Sequence, residues 1–193
     1  MEHLSPTDDQ KQKRVIIEGQ LRECYGRVVY SHKTHEKCAD ILLSRHSTLK
    51  LWQIVLSALT TAGFISAFLG SAEIGAGIGV FISTLLLVLN AYTKNYDLGE
   101  LAQKHKHAAN EIWLIRENYL SLLTDLKISE STIEEIQKRR DLLLESLHSV
   151  YAGSPSTTFA AYRKAQKALQ TQEDMTFSNE EIDAFLPMEL KRS

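Results

Sequence analysis

Between Lys50 and Lys94 the chain carries one charged residue, Glu73, whereas charges are dense before and after that stretch. A helix crosses the roughly 30 Å of bilayer hydrocarbon with about 20 apolar residues. Leu51 to Leu69 (LWQIVLSALTTAGFISAFL) supplies one such run, and Ile74 to Tyr92 (IGAGIGVFISTLLLVLNAY) supplies a second. Gly70-Ser71-Ala72-Glu73 leaves room between them only for a tight turn over 70–73. The alternative is a pair of core helices in a soluble globule. The rest of a 193-residue chain has too little apolar mass to wrap two such helices on every side. Residues 51–92 are therefore expected to form a two-span transmembrane hairpin in a lipid bilayer.

Orientation follows from lysine and arginine placement. Lys33, Lys37, Arg45 and Lys50 precede the first span, and Lys94, Lys104, Lys106 and Arg116 follow the second. The turn has neither residue type, so both termini are expected on the cytoplasmic side, with Glu73 on the far face. The opening MEHLSPTDDQ is polar, and the first apolar run begins only after about fifty residues, unlike a secretory signal. A net charge of −2 gives no reason to expect nucleic acid. Cys24 and Cys38 lie in a polar region and are expected to be free thiols.

The spans carry a packing pattern. Ala58, Ala62, Ser66 and Gly70 recur every fourth residue in the first, and Gly75, Gly79 and Ser83 in the second. Small residues at that spacing let helix backbones approach closely within lipid, either inside one hairpin or between subunits of a homo-oligomer. Gln53, Ser57 and Thr60 form a polar stripe on the first span, and Ser83, Thr84 and Asn90 add polar groups to the second. Serine and threonine hydroxyls can bond their own helix carbonyls. The amides of Gln53 and Asn90, at similar depth, favour an interhelical contact or a wet cavity. The pore-lining candidates are Gln53, Ser57, Thr60, Ser83 and Asn90, with Glu73 at the outer mouth.

Outside the spans the chain reads as helical. Leu21, Tyr25, Val28, His32, His35, Ala39, Leu42, His46 and Leu49 follow a four–three spacing, as do Leu98, Leu101, His105, Ala108, Ile112, Ile115, Tyr119, Leu122 and Leu126. No proline lies between Thr7 and Gly153, so each span is expected to run into its cytoplasmic helix with little or no break. Ser131-Thr-Ile-Glu134 announces a further helix through a capping box. Another follows the Ala152–Ser156 breaker, over about 158–171, and Ser178 with Glu181 caps a short last one. The fold class is all-α. Its parts are a polar tail (1–14), an amphipathic helix (15–50), the hairpin (51–92), cytoplasmic helices (93–171) and a tail with a short helix (172–193).

His32, His35 and Cys38 could suggest a metal, but the i, i+6 offset moves Cys38 well round the helix from His32, and semi-buried seam histidines are the better reading. No nucleophile elbow, phosphate loop, dinucleotide fingerprint or carboxylate pair is present. No enzyme activity, cofactor or metal is expected.

Four features together resemble the SLATT domain, the two-transmembrane effector associated with SMODS-type nucleotidyltransferases and SLOG domains in prokaryotic conflict systems. They are the basic, histidine-containing helix Ser31-His-Lys-Thr-His-Glu-Lys-Cys-Ala-Asp40, the minimally linked spans, a long amphipathic helix, and the segment Tyr151-Ala-Gly-Ser-Pro155 followed by Tyr162. The resemblance covers about Val15 to Leu169. It implies an antiviral effector of the inner membrane that oligomerises and opens a pore, killing or arresting the infected cell. It also implies a partner encoded nearby: a nucleotidyltransferase, a nucleotide sensor or a reverse transcriptase. The other reading is a membrane-anchored helical scaffold that recruits a partner protein.

Overall fold

A computed structural model of the chain describes residues 6–68, 72–128, 131–172, 175, 177–188 and 191. Among them there are helices and no strand: α1 (Pro6–Phe68), α2 (Ala72–Asn95), α3 (Leu98–Ile128), α4 (Ile133–Gly153), α5 (Phe159–Thr171) and α6 (Asn179–Phe185). The fold is all-α. The chain divides into two compact units. One holds the residues up to Lys37 and those from Ala109 onward; the other holds Cys38–Ala108. α1 and α3 contribute to both.

In the first unit the two heptad-like series meet. Leu21 and Val28 from α1 are fully buried with Ile112, Tyr119 and Leu122 from α3, and Ile136 of α4 closes the same cluster. Branched and aromatic side chains at alternating three and four spacing present one continuous apolar stripe, and burying it is the main stabilising contribution. Arg14 fixes the register at one end: its guanidinium donates to the Ser131 carbonyl at 2.8 Å and the Leu126 carbonyl at 3.4 Å. α1 begins at Pro6, so helix reaches well into the 1–14 segment read as a polar tail.

α4 starts one residue later than the Ser131–Glu134 box predicts. Thr132 is the N-cap: its hydroxyl accepts from the Glu135 N–H at 3.2 Å, and the Glu135 carboxylate accepts from the Thr132 N–H at 2.9 Å. Ser131-Thr132-Ile133-Glu134-Glu135 contains two overlapping boxes, and the second forms, on a helix that buries Ile133 and Ile136. Thr132→Ala is expected to destabilise this unit by about 1 kcal/mol, read as faster amide exchange confined to the first turn of α4. The second box forms as expected, with Ser178 and Glu181 satisfying each other's backbone. α5, capped by Thr158, buries Ala161, Ala165 and Ala168, and Tyr162 stacks on Tyr30 of α1 at 5.9 Å.

In the second unit α1 passes unbroken from the basic segment into the first apolar run. The second apolar run behaves differently. α2 ends at Asn95 and a two-residue break, Tyr96–Asp97, precedes α3. Asp97 caps α3, its carboxylate accepting from the Glu100 N–H at 2.9 Å. That bond holds the Asp97 carboxyl below its usual value, helped by a bond to Gly99 and the nearby charges of His46 and Lys50. The local sequence Asp97-Leu-Gly-Glu100 is itself a helix-start pattern, and it overrides the absence of proline.

Candidate functional site

The apolar faces of α1 and α2 are not used up by the fold. In the most apolar eighteen-residue stretch of α1 no residue is buried, and in that of the second long helix 11% are. Trp52, Ile54, Phe64, Phe81, Leu87 and Val88 are each more than half exposed. Core helices of a soluble protein would hide such residues, and an apolar surface this extensive belongs against lipid. The two helices are long and apolar enough to cross a membrane.

Within this unit the helices run antiparallel: as residue number rises along α1 it falls along its partner. Gly63 lies against Gly79 and Gly75. A methyl at Gly63 would meet the Gly79 Cα at 3.5 Å and the Gly75 carbonyl at 3.6 Å. Gly75 and Gly79 are buried there, while Ala58 and Ala62 face outward from the single chain. The side chain of Ser66 and all of Gly70 lie outside the described residues, as do part of the 70–73 turn and the side chain of Glu73. The close approach thus rests on Gly63, which breaks the every-fourth series and is missed when that series alone is followed. The available signal is its being the one glycine in the first run opposite a glycine-rich second run.

Nearer the charged ends, Gln53 bridges the pair. Its amide N–H groups donate to the Asn90 side-chain oxygen and to the Thr93 hydroxyl, both at 2.9 Å. Thr93 passes its own proton to the Leu89 carbonyl at 3.1 Å. A desolvated amide at this depth needs such partners, and Thr93 lies one position beyond the second apolar run, outside the polar stripe. Thr60, Thr61 and Thr84 bond carbonyls of their own helices, at 2.8, 3.0 and 2.8 Å. Ser83 is half-buried.

Beside the bridge lies an open groove of about 650 Å³. Its polar wall is Lys50, Gln53, Ser57, Thr61 and Asn90; Ile54, Ala58 and Leu86 form the apolar wall. Thr61, not Thr60, continues the stripe on this surface, because positions 53, 57 and 61 each advance one near-full helical turn. The sequence-derived residues Gln53, Ser57 and Asn90 meet here. Ser83 and Thr60 do not line it.

A scan against known families matches residues 17–181 to the SMODS and SLOG-associating 2TM effector domain family 4. The chain belongs to this family. It is a two-transmembrane effector of the SLATT type, a membrane protein, and its family name associates it with SMODS and SLOG partners. No curated protein and no solved structure matches it.

Three seam histidines of this SLATT chain are buried more deeply than semi-buried positions would be, while His46 is half-buried. His32, His35 and His105 are each 5% exposed or less. Among the described residues no three His, Cys, Asp or Glu side chains converge to hold a metal. Burial holds the His32 imidazole below its ordinary value of 6.5. The Glu36 carboxylate, 3.9 Å away, and Glu117 oppose this, while Arg116 and Lys33 push the same way as burial. Burial likewise lowers His105. Between the folded-state value and 6.5 the unfolded chain binds more protons than the folded one. The stability from keeping these rings neutral is therefore complete above about 6.5 and is lost as pH falls below it. The melting temperature is expected to be flat from about pH 8 to 7 and to fall on acidification to about 5.5. His32→Leu is expected to shrink that fall, and a fall of unchanged size would remove His32 from the explanation.

Proposed function

We propose that SLATT hairpins assemble side by side in the cell inner membrane, both termini cytoplasmic, and open a pore that kills or arrests the infected cell. The groove residues Gln53, Ser57 and Asn90 line it together with Thr61, and Glu73 stands at its outer mouth favouring cations. Gly63, Gly75 and Gly79 supply the close packing within one hairpin, and the outward-facing Ala58 and Ala62 supply it between hairpins. The parts read from the sequence are then an N-terminal tail and amphipathic helix (1–50) and further helices (93–171) on the cytoplasmic side, joined by the span pair (51–92).

One observation carries this reading. On a pair of helices whose outward surface is mostly apolar, Ser57, Thr61 and Asn90 face outward along an open groove. A hairpin alone in lipid leaves that polar wall against hydrocarbon at a cost, and an assembly that turns the grooves toward a shared wet axis removes the cost. The activating partner in this reading is the product of a neighbouring gene: a nucleotidyltransferase, a nucleotide sensor or a reverse transcriptase.

Ion efflux from vesicles reconstituted with the purified chain, together with depolarisation of expressing cells, tests it. Efflux is expected to fall at least tenfold in Ser57→Leu and Asn90→Leu, with the protein still membrane-bound. Unchanged efflux in both variants would contradict the lining. A membrane-anchored scaffold is the second reading. The exposed Trp113, Leu114 and Leu120 on α3 favour it as a surface for a partner, and it predicts no efflux at all.

A further inference from the structure

We propose that the lysine-rimmed end of the groove is a seat for one anionic phospholipid. Lys50 lines the groove directly, and Lys94 follows Asn90 by one helical turn on the antiparallel neighbour, so two ammonium groups stand at the level just beyond the Gln53–Asn90 bridge. Trp52, Tyr92 and Tyr96 are exposed close to the same level, and Tyr92 stacks on Tyr96 at 5.1 Å. Amphipathic rings of this kind settle at the headgroup depth of a bilayer. The lysines therefore meet lipid phosphates rather than open water or hydrocarbon. The Asp97 carboxylate lies near, within electrostatic reach of Lys50 and His46. Asp97 is engaged in capping α3 through the Glu100 N–H.

Below the lysines the groove changes character in the order a phospholipid does. The Asn90 amide nitrogen and the Ser57 hydroxyl offer donors at the depth of the glycerol and ester oxygens, and Ile54, Ala58 and Leu86 offer an apolar channel for an acyl chain. From Lys50 to Thr61 the helix rises roughly 16 Å, enough for a headgroup and the upper half of a chain. A seated lipid also satisfies the polar wall of a hairpin that stands alone. The seat requires the hairpin to lie in a bilayer. It does not require a pore, so absent efflux leaves it standing.

The test is native mass spectrometry of the full chain in detergent, offered equal amounts of phosphatidylglycerol and phosphatidylcholine with matched acyl chains. Phosphatidylglycerol is expected to be retained preferentially. Each lysine removed is expected to weaken the preference about fivefold, so that Lys50→Gln with Lys94→Gln abolishes it. Lys106→Gln, an exposed lysine away from the groove, is expected to leave the preference unchanged. Equal retention of both lipids by the unaltered chain would overturn the proposal. So would a loss in Lys106→Gln as large as in the double variant, since that is diffuse attraction. Displacement of the lipid by free glycerol phosphate would overturn it too, by showing a phosphate site that takes no acyl chain.

Discussion

Gly63→Leu is expected to separate α1 from α2, whereas Gly63→Ala is expected to leave them together. A Cβ at this position finds the Gly79 and Gly75 backbones at 3.5 to 3.7 Å, ordinary contact distances that admit a methyl and nothing larger. Backbone atoms cannot step aside as a flexible side chain does, so leucine forces the helices apart by several ångströms. Overpacking of this kind costs roughly 1–3 kcal/mol, and a hairpin in lipid has no hydrophobic drive between its helices to offset it. The Gln53 bridge to Asn90 and Thr93 strains with it, because both contacts depend on the same interhelical register. Spin labels on exposed Leu59 and Val80 would report the change as a longer, broader distance distribution in Gly63→Leu only. Gly79→Ala is the contrasting case: a Cβ there meets only the edge of the Phe64 ring, at 3.9 Å. An alanine effect at Gly79 as large as the leucine effect at Gly63 would mean that the crossing point lies elsewhere.

The second large effect is at Tyr119, the largest fully buried side chain in the core of the other unit. Tyr119→Ala is expected to cost about 3–5 kcal/mol through lost burial and the cavity left behind. Against a domain stability of about 5–15 kcal/mol that is enough to threaten folding of the unit. Tyr119→Phe separates the ring from its hydroxyl. The hydroxyl is buried with no nitrogen or oxygen partner among the described residues, and its neighbour is the Cys24 sulfur. Burial, with smaller contributions from Cys24, pushes its ionisation up to about 12. A hydroxyl so placed has already lost its hydrogen bonds to water, so Tyr119→Phe is expected to be neutral or slightly stabilising. Chemical denaturation of both variants decides it. A phenylalanine variant as damaged as the alanine one would show that the hydroxyl holds a partner that matters.

The parts of this protein legible in its sequence are those governed by periodic burial. Val28, Ile112, Tyr119 and Leu122 declare themselves because a helix of either series has one apolar side to hide, and the charge-free stretch declares itself because lipid tolerates so little else. What escaped was decided by single contacts between segments distant in the chain. Gly63 is conspicuous only once Gly79 is known to lie opposite it. The break at Asp97 needs no proline, because Asp97-Leu-Gly-Glu100 carries a start signal of its own. At the α4 cap two equivalent boxes overlap, and nothing in the local pattern prefers the Thr132 box that forms to the Ser131 one. In the groove, Gln53, Ser57 and Asn90 were readable as polar residues in apolar runs. Their convergence with Lys50 and Thr61 depends on how α1 rotates against α2, which no one-dimensional pattern encodes.

A pore and a lipid seat alike require the apolar helices to cross a bilayer and return. Topology reporters fused separately to the two ends of the chain in living cells test this most directly. Cytoplasmic signals from both ends, with a reporter inserted near Glu73 responding only on the far side, are the predicted result. Signals from opposite sides at the two ends would contradict it.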